Sequence, residues 1–443
     1  MIESKILLKE NLDTNENIIL KTDKEGKIIT LDCEDIVKSY LKKKSINYSN
    51  VNVKKTNEGL SNYIYYVIID NHLKLFLKIF NNQIDRKFEE KIITLNAEQG
   101  NCAGILDTDC NYYRIEEFLE NIKKLERKEI HTDRFFEILI SKIINFNFLL
   151  SKENKNHNYQ QEKDVFGVMQ QTFINAQKSF KNFKCKFEDW KNINEFYITK
   201  DNKSESAPNC FYKLNNIEKP FDAFDLKNYE KIEFYLAEGK LTEIFDGIFP
   251  KDFLSKLRQG SDIGLTDIPL FLSHNDVHLH NFLFKPNFHN EGINKETNLN
   301  EENVLLIDYE YACFNVFGFD IVNFFIEGFF NLEFAEYPFY EKLEKSTKNI
   351  YDKIYYDKYL KFLNEFSKEF TIKGIEIDDI SKLEFIDLFG TYEYYIKICK
   401  LASIYWFYTA LQFLDFDCNV SKIGFNYVDY SIDRLSIYES FYN

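Results

Sequence analysis

Two apolar runs late in this 443-residue chain end abruptly in polar side chains, and that pair of breaks constrains the fold more than any other feature. The first run, Pro269-Leu270-Phe271-Leu272, breaks into Ser273-His274-Asn275-Asp276-Val277-His278-Leu279-His280-Asn281 before Phe282-Leu283-Phe284 resumes it. The second, Val304-Leu305-Leu306-Ile307, ends in Asp308, 32 residues after Asp276. Short apolar segments bounded by turn residues predict buried strands. Polar turns at the ends of buried strands suit phosphoryl transfer. One carboxylate accepts a hydrogen bond from a hydroxyl nucleophile, while a carboxamide oxygen and a second carboxylate offer hard ligands to Mg²⁺. The plainer reading is an Asx turn and two surface acids. His274, His278 and His280 share the loop, but i, i+4, i+6 spacing does not converge on one helix face. Loop bracing by His274, with the other two facing solvent or protein, is therefore simpler than a metal cluster with Asp276.

Around this centre the chain predicts an α+β organisation. Residues 1–50 read as a polar extension with a short helix over 34–44, where Ile36, Val37, Tyr40 and Leu41 share a face. Ser61–Ile69 and Leu73–Phe80 are rich in β-branched and aromatic residues and flank Asp70-Asn71-His72, a hairpin pattern. A helix over 85–96 and a strand over 112–119 complete a small lobe at 51–122. From 123 to 443 the pattern is mainly helical, with hydrophilic stretches at 151–165 and 199–218 and an Asn-rich loop at 287–302.

Composition removes several function classes. The formal charge is −15, which disfavours duplex nucleic acid or an anionic membrane surface as a partner. Aromatic residues are 17% of the chain, enough for a large core and against wholesale disorder. No run of 18 apolar residues occurs, so no membrane span is expected. Eight scattered cysteines without a CxxC pair, behind an N-terminus with no long apolar stretch, predict reduced thiols and a cytoplasmic location.

The order Asp-x4-Asn followed by a strand and an Asp is that of protein-kinase-like catalytic loops, although His-Arg-Asp, Asp-Phe-Gly and Ala-Pro-Glu are missing. On these residues the chain resembles the choline/ethanolamine kinase family, related to the aminoglycoside phosphotransferases. His274–Asn281 is similar to that family's His-Asn-Asp-x4-Asn. Ile307-Asp308-Tyr309-Glu310-Tyr311, followed by Phe319-Asp320-Ile321-Val322-Asn323, is similar to its next segment. The resemblance extends over most of the chain beyond about residue 50. It implies a two-lobed protein-kinase-like fold, with a small N-terminal β-sheet lobe for the nucleotide (51–122) and a large, mainly helical catalytic and substrate-binding lobe (123–443).

What the resemblance implies for function is transfer of the ATP γ-phosphate to the hydroxyl of choline, ethanolamine or both, the first step toward the corresponding phospholipids. Asp276 would orient or deprotonate the hydroxyl; Asn281 and Asp308 would bind Mg²⁺. Lys78 would hold phosphate oxygens and pair with Glu89. Ser61 and Asn62 would cover the phosphates, and Glu117-Phe118 would form the adenine hinge. His274, Glu310, Asp320 and Asn323 would brace this set. A fixed cation is best held by aromatic faces plus a carboxylate. Glu327 shares a helical face with Asn323, and Tyr311, Tyr405, Trp406, Tyr408 and Tyr427 are the candidate cage. A homodimer is one arrangement the resemblance allows. The chain departs from the family pattern in having one Trp in its late helix, Glu58-Gly59 where two glycines are usual, His278-Leu279-His280 inside the catalytic loop, and Phe324 and Gly328 beside Asn323 and Glu327. Two other readings compete: a kinase of the same fold with another acceptor, such as an aminoglycoside, and a silent kinase-fold binding protein.

Overall fold

The computed structural model describes residues 18–22, 28–56, 62–80, 86–109, 111–130, 132–150, 163–200, 226–250, 270–285, 299–331, 341–342, 353–373, 382–414 and 427–442. The chain divides into two compact units, one of residues 1–139 and 279–310, the other of residues 140–278 and 311–443.

The first unit is built on a five-stranded antiparallel sheet. Its strands are β1 (Val51–Lys55), β2 (Asn62–Ile69), β3 (Leu73–Phe80), β4 (Ile105–Asp109) and β5 (Tyr113–Glu117), in the order β1-β2-β3-β5-β4. Asp70 and Asn71 turn the β2–β3 hairpin with φ of 49° and 63°, a left-handed conformation that Asp and Asn tolerate best among residues with a side chain. Alternate residues Val67, Ile69, Leu75, Leu77 and Ile79 are buried against helix α1 (Cys33–Lys43). Val37, Tyr40 and Leu41 supply the helix side of that core, so the segment read as an extension contributes to it. Asp32 caps α1 by accepting from the N–H of Glu34 at 2.8 Å and of Asp35 at 3.3 Å. Helix α2 (Lys87–Glu98) follows β3 and buries Glu89 among Ile92 and Ile93. A further sheet in this unit pairs β7 (Phe282–Phe284) with β8 (Val304–Leu306) and with Lys123–Lys124.

The second unit is mainly helical. Its centre is helix α5 (Tyr392–Gln412), packed against α3 (Val165–Lys200), α4 (Phe319–Glu327) and α6 (Tyr427–Ser440). Ile398, Leu401, Ala402, Ile404, Phe407, Tyr408 and Leu411 are all fully buried, which is why α5 tolerates apolar residues on every face. Two short strands, β6 (Leu270–Ser273) and β9 (Cys313–Val316), pair antiparallel beside α4. Phe317, just after β9, nests among Phe271, Phe362, Phe366, Phe385 and Phe389. Gly318 then takes φ 81°, and a Cβ there would meet the Tyr359 ring at 2.7 Å, so only glycine fits. Among the described residues no helix is long and apolar enough to cross a membrane.

Candidate active site

In the second unit, the loop leaving β6 is pinned from beneath. The two carboxylate oxygens of Asp320, in the first turn of α4, accept the backbone N–H groups of His274 (2.9 Å) and Asn275 (2.8 Å). Burial pushes the Asp320 carboxyl up to about 7 against the lowering effect of those two N–H donors. Asn275 sits at φ 68°, and its amide nitrogen donates to the carbonyls of Ser273 (3.1 Å) and Tyr311 (2.9 Å). Its oxygen accepts from Asn315 at 2.6 Å. The Trp406 indole N–H donates to the Asn275 carbonyl at 3.2 Å, which ties α5 to the same loop. His274 is fully buried, and its Nδ1 accepts the Asp276 N–H at 3.3 Å. Asp276 is thus presented on a backbone held at both preceding residues, with the His278 Nε2 at 3.4 Å from its Oδ2.

In the first unit, the backbone carbonyl of Asn281 accepts the N–H of Ile307 at 2.9 Å, which fixes the two β-ends side by side. Asp308 turns out of β8 at φ 67° with a side chain 36% exposed, and the Lys78 ammonium lies 3.3 Å from its Oδ1. Burial alone would lower the Lys78 pKa, but Asp308, Glu310 and Glu89 outweigh it and hold it above the usual value. A carboxylate and a carboxamide, both oxygen donors on pinned loops, fit Mg²⁺, which is typically held by one or two carboxylates and completed by phosphates and water.

The expected Lys78–Glu89 pair is not formed. Glu89 gives its two oxygens to Arg86 (2.8 Å) and Arg114 (2.9 Å), and Lys78 pairs with Asp308 instead. Two buried guanidiniums saturate the carboxylate; they and Lys78 overcome burial and hold Glu89 down at about 2. Asn62 is buried and its amide is used within the protein, donating to Glu310 at 3.1 Å and accepting from Arg86 at 3.4 Å. Glu310 is therefore clamped two residues beyond Asp308. Glu117 accepts the Gly104 N–H at 3.0 Å, and the Phe118 ring packs on Tyr66 and Phe76, each at 5.1 Å. Ser61 lies outside the described residues.

The expected cage is only partly brought together. Trp406 has ring contacts with Tyr311 (5.3 Å) and Tyr405 (5.8 Å). Tyr408 instead packs on Phe173 and donates its hydroxyl to the Tyr235 carbonyl at 2.9 Å, and Tyr427 packs on Phe413. Because α5 is buried on nearly every side, helical spacing alone could not tell its site-facing side from its core-facing ones. Glu327 is paired with Arg434 and accepts the Tyr430 hydroxyl at 3.0 Å. Arg434, fully buried, lies among the rings of Phe330 (5.2 Å), Tyr430 (5.4 Å) and Trp406 (5.9 Å), and reaches Asn323 at 3.4 Å. One oxygen of Glu327, one nitrogen of Arg434 and the Asn323 amide nitrogen are buried without a hydrogen-bond partner. Sequence reasoning missed Tyr430 and Arg434. The available signal was that a buried Glu demands a cation, and Arg434 is the one basic residue between 427 and 443.

The segment from 248 to 439, which carries Asp276, Asn281, Asp308, Glu327 and Arg434, matches the choline/ethanolamine kinase family model. A rat choline/ethanolamine kinase is 26% identical over 190 residues, 42% of this chain and 41% of that protein. A Drosophila melanogaster ethanolamine kinase is 26% identical over 218 residues, 48% of this chain and 32% of that protein. The matched stretch thus spans less than half the length of these relatives. A solved choline kinase from Cryptosporidium parvum shares the fold, with a TM-score of 0.56 at 16% identity over 92% of this chain and 95% of that one. The fold is the protein-kinase-like fold of a choline kinase, a β-sheet unit joined to a mainly helical one.

Proposed function

We propose that the chain is an ATP-dependent phosphotransferase acting on the hydroxyl of a small amino alcohol of the choline and ethanolamine class. The observation that carries this reading is the clamped loop at 274–276. A double hydrogen bond from Asp320 fixes the backbone on which the Asp276 carboxylate is offered. A base that needs no reorganisation is what phosphoryl transfer asks of a protein, since alignment and charge neutralisation supply most of the rate.

In this reading Asp276 accepts the proton of the substrate hydroxyl as its oxygen bonds to the γ-phosphorus. The bond from that phosphorus to the bridging oxygen breaks, and ADP leaves. Asn281 and Asp308 would hold Mg²⁺, which when bound neutralises phosphate charge. Lys78, kept protonated by its acidic neighbours, offers a second cation to the phosphates. Asn62 and Arg86 act on the nucleotide side through Glu310. At the acceptor end, the buried Glu327 oxygen without a partner and the Trp406–Tyr311 ring pair support binding of a cationic amine. Among the described residues Cys33, Cys102, Cys185, Cys313 and Cys399 are free thiols, and a reducing, cytoplasmic setting is part of the same reading.

ADP release measured with MgATP and, in turn, choline, ethanolamine and an aminoglycoside tests the proposal, with Asp276→Asn as the blank. Turnover with choline or ethanolamine that vanishes in Asp276→Asn supports it. Turnover with the aminoglycoside alone moves the acceptor class, and no turnover above the blank refutes the reading.

A further inference from the structure

We infer that His278 is a positioning residue for Asp276: its imidazole orients the carboxylate and sets the pH at which that carboxylate can take a proton. This rests on the phosphotransferase reading above. The His278 Nε2 lies 3.4 Å from Asp276 Oδ2, with side chains only 17% and 11% exposed. That separation is within ion-pair range and close enough for the ring to draw into a hydrogen bond when substrate binds. The two residues are two apart on a loop whose preceding backbone is pinned by Asp320 and Asn275, so the loop itself sets the contact.

The chemistry follows from what each partner can do. An ionised carboxylate only accepts, so the neutral imidazole that meets it carries its proton on Nε2 and donates to Oδ2. The Asp320 carboxyl and the Tyr405 hydroxyl also interact with Asp276, and His274 receives the Asp276 N–H. His278 becomes a cationic neighbour of Asp276 once protonated. As an imidazolium it draws the Asp276 carboxylate into an ion pair and makes it a poorer base; as a neutral ring it orients without weakening. During transfer the substrate O–H bond breaks, its proton passes to Asp276, and His278 keeps the proton it began with. The rate therefore rises as pH climbs through the His278 titration.

Two measurements decide this. The chain has 7 histidines, and the imidazole resonance missing from His278→Gln identifies His278 in NMR titrations. Replacing Asp276 by Asn is expected to move its midpoint down by about one pH unit, the low end for an opposite charge this close. An unmoved midpoint overturns the coupling without reference to activity. In steady-state kinetics, His278→Leu should lower kcat about tenfold or more and leave the acceptor KM nearly unchanged. His278→Gln, which retains an N–H donor, should recover most of kcat at high pH and lose the acid limb of the parent profile. Survival of that limb in His278→Gln, or parental kcat in His278→Leu, overturns the inference. If the parent chain turns over no amino alcohol, the phosphotransferase reading fails by itself and the NMR arm still decides the Asp276–His278 contact.

Discussion

Replacing Arg434 by Met strikes the most enclosed charge pair of the second unit. Arg434 is fully buried and the Glu327 side chain is 6% exposed, so neither charge can turn to water when its partner is removed. The substitution keeps an apolar stem of similar reach but deletes the ion pair, the donation to the Tyr430 hydroxyl at 3.1 Å and the contact with Asn323 at 3.4 Å. Breaking a buried pair from one side costs about 3–5 kcal/mol, because a desolvated carboxylate is left alone. The cost is expected to lie near the top of that range, since the Tyr430 hydroxyl alone remains to bond Glu327. Removing both charges together, as Glu327→Gln with Arg434→Met, should recover most of the loss, because no uncompensated charge stays buried and the Tyr430 hydroxyl still bonds residue 327. Urea unfolding followed by Trp406 emission reads the unit directly. The chain has two tryptophans, so a Trp190→Phe background makes Trp406 the sole reporter, and its ring lies 5.9 Å from the guanidinium. A loss below about 1 kcal/mol for Arg434→Met, or no recovery in the double variant, would refute the buried-pair argument.

Other expectations follow from single contacts. Asp320→Ala leaves two buried N–H groups without an acceptor and should cost about 2–6 kcal/mol, with turnover falling together with near-ultraviolet dichroism of the loop region. The folded-state pKa of Asp320 is raised to about 7 from 3.8, so its contribution to stability is full below pH 4 and declines as pH rises toward 7. Asp320→Asn should flatten that slope in urea midpoints measured across the range. Glu89 behaves oppositely. Its pKa is held at about 2, so its contribution is present above the ordinary carboxylate range and lost as pH falls toward 2. Glu89→Gln should therefore destabilise at pH 7 and converge with the parent in acid, and a constant difference would disprove the assignment. Gly318→Ala places a methyl group 2.7 Å from the Tyr359 ring at φ 81° and should lower stability by about 1–3 kcal/mol in thermal melts.

The candidate site residues hang on devices that are themselves ordinary structural chemistry. One buried aspartate grips two successive amides, one asparagine in a left-handed turn bonds two carbonyls, and one tryptophan reaches across from the central helix to the same loop. Together they anchor the backbone of 274–275, from which Asp276 follows. The first unit uses charge for the same purpose. Arg86, Arg114 and Glu89 form a buried cluster under the sheet strand that carries Lys78.

Much of this was written locally. The hairpin of β2 and β3 follows from alternation and from Asp70-Asn71, because a left-handed turn selects such residues wherever it occurs. Helix α1 announces itself through Asp32 and the spacing of Val37, Tyr40 and Leu41. Asp276, Asn281 and Asp308 stand out because polar residues interrupt otherwise apolar strands, and that needs no knowledge of packing. Pairing across long sequence separations was not legible. Lys78 finds Asp308 across 230 residues, Arg434 finds Glu327 across 107, and Trp406 reaches Asn275 across 131. Each candidate had several chemically equivalent partners, and periodicity ranks none of them. Only the packing of β3 beside β5, and of α5 against α4 and α6, decides which charge meets which, because burial makes the one pairing within reach far better than leaving either group alone.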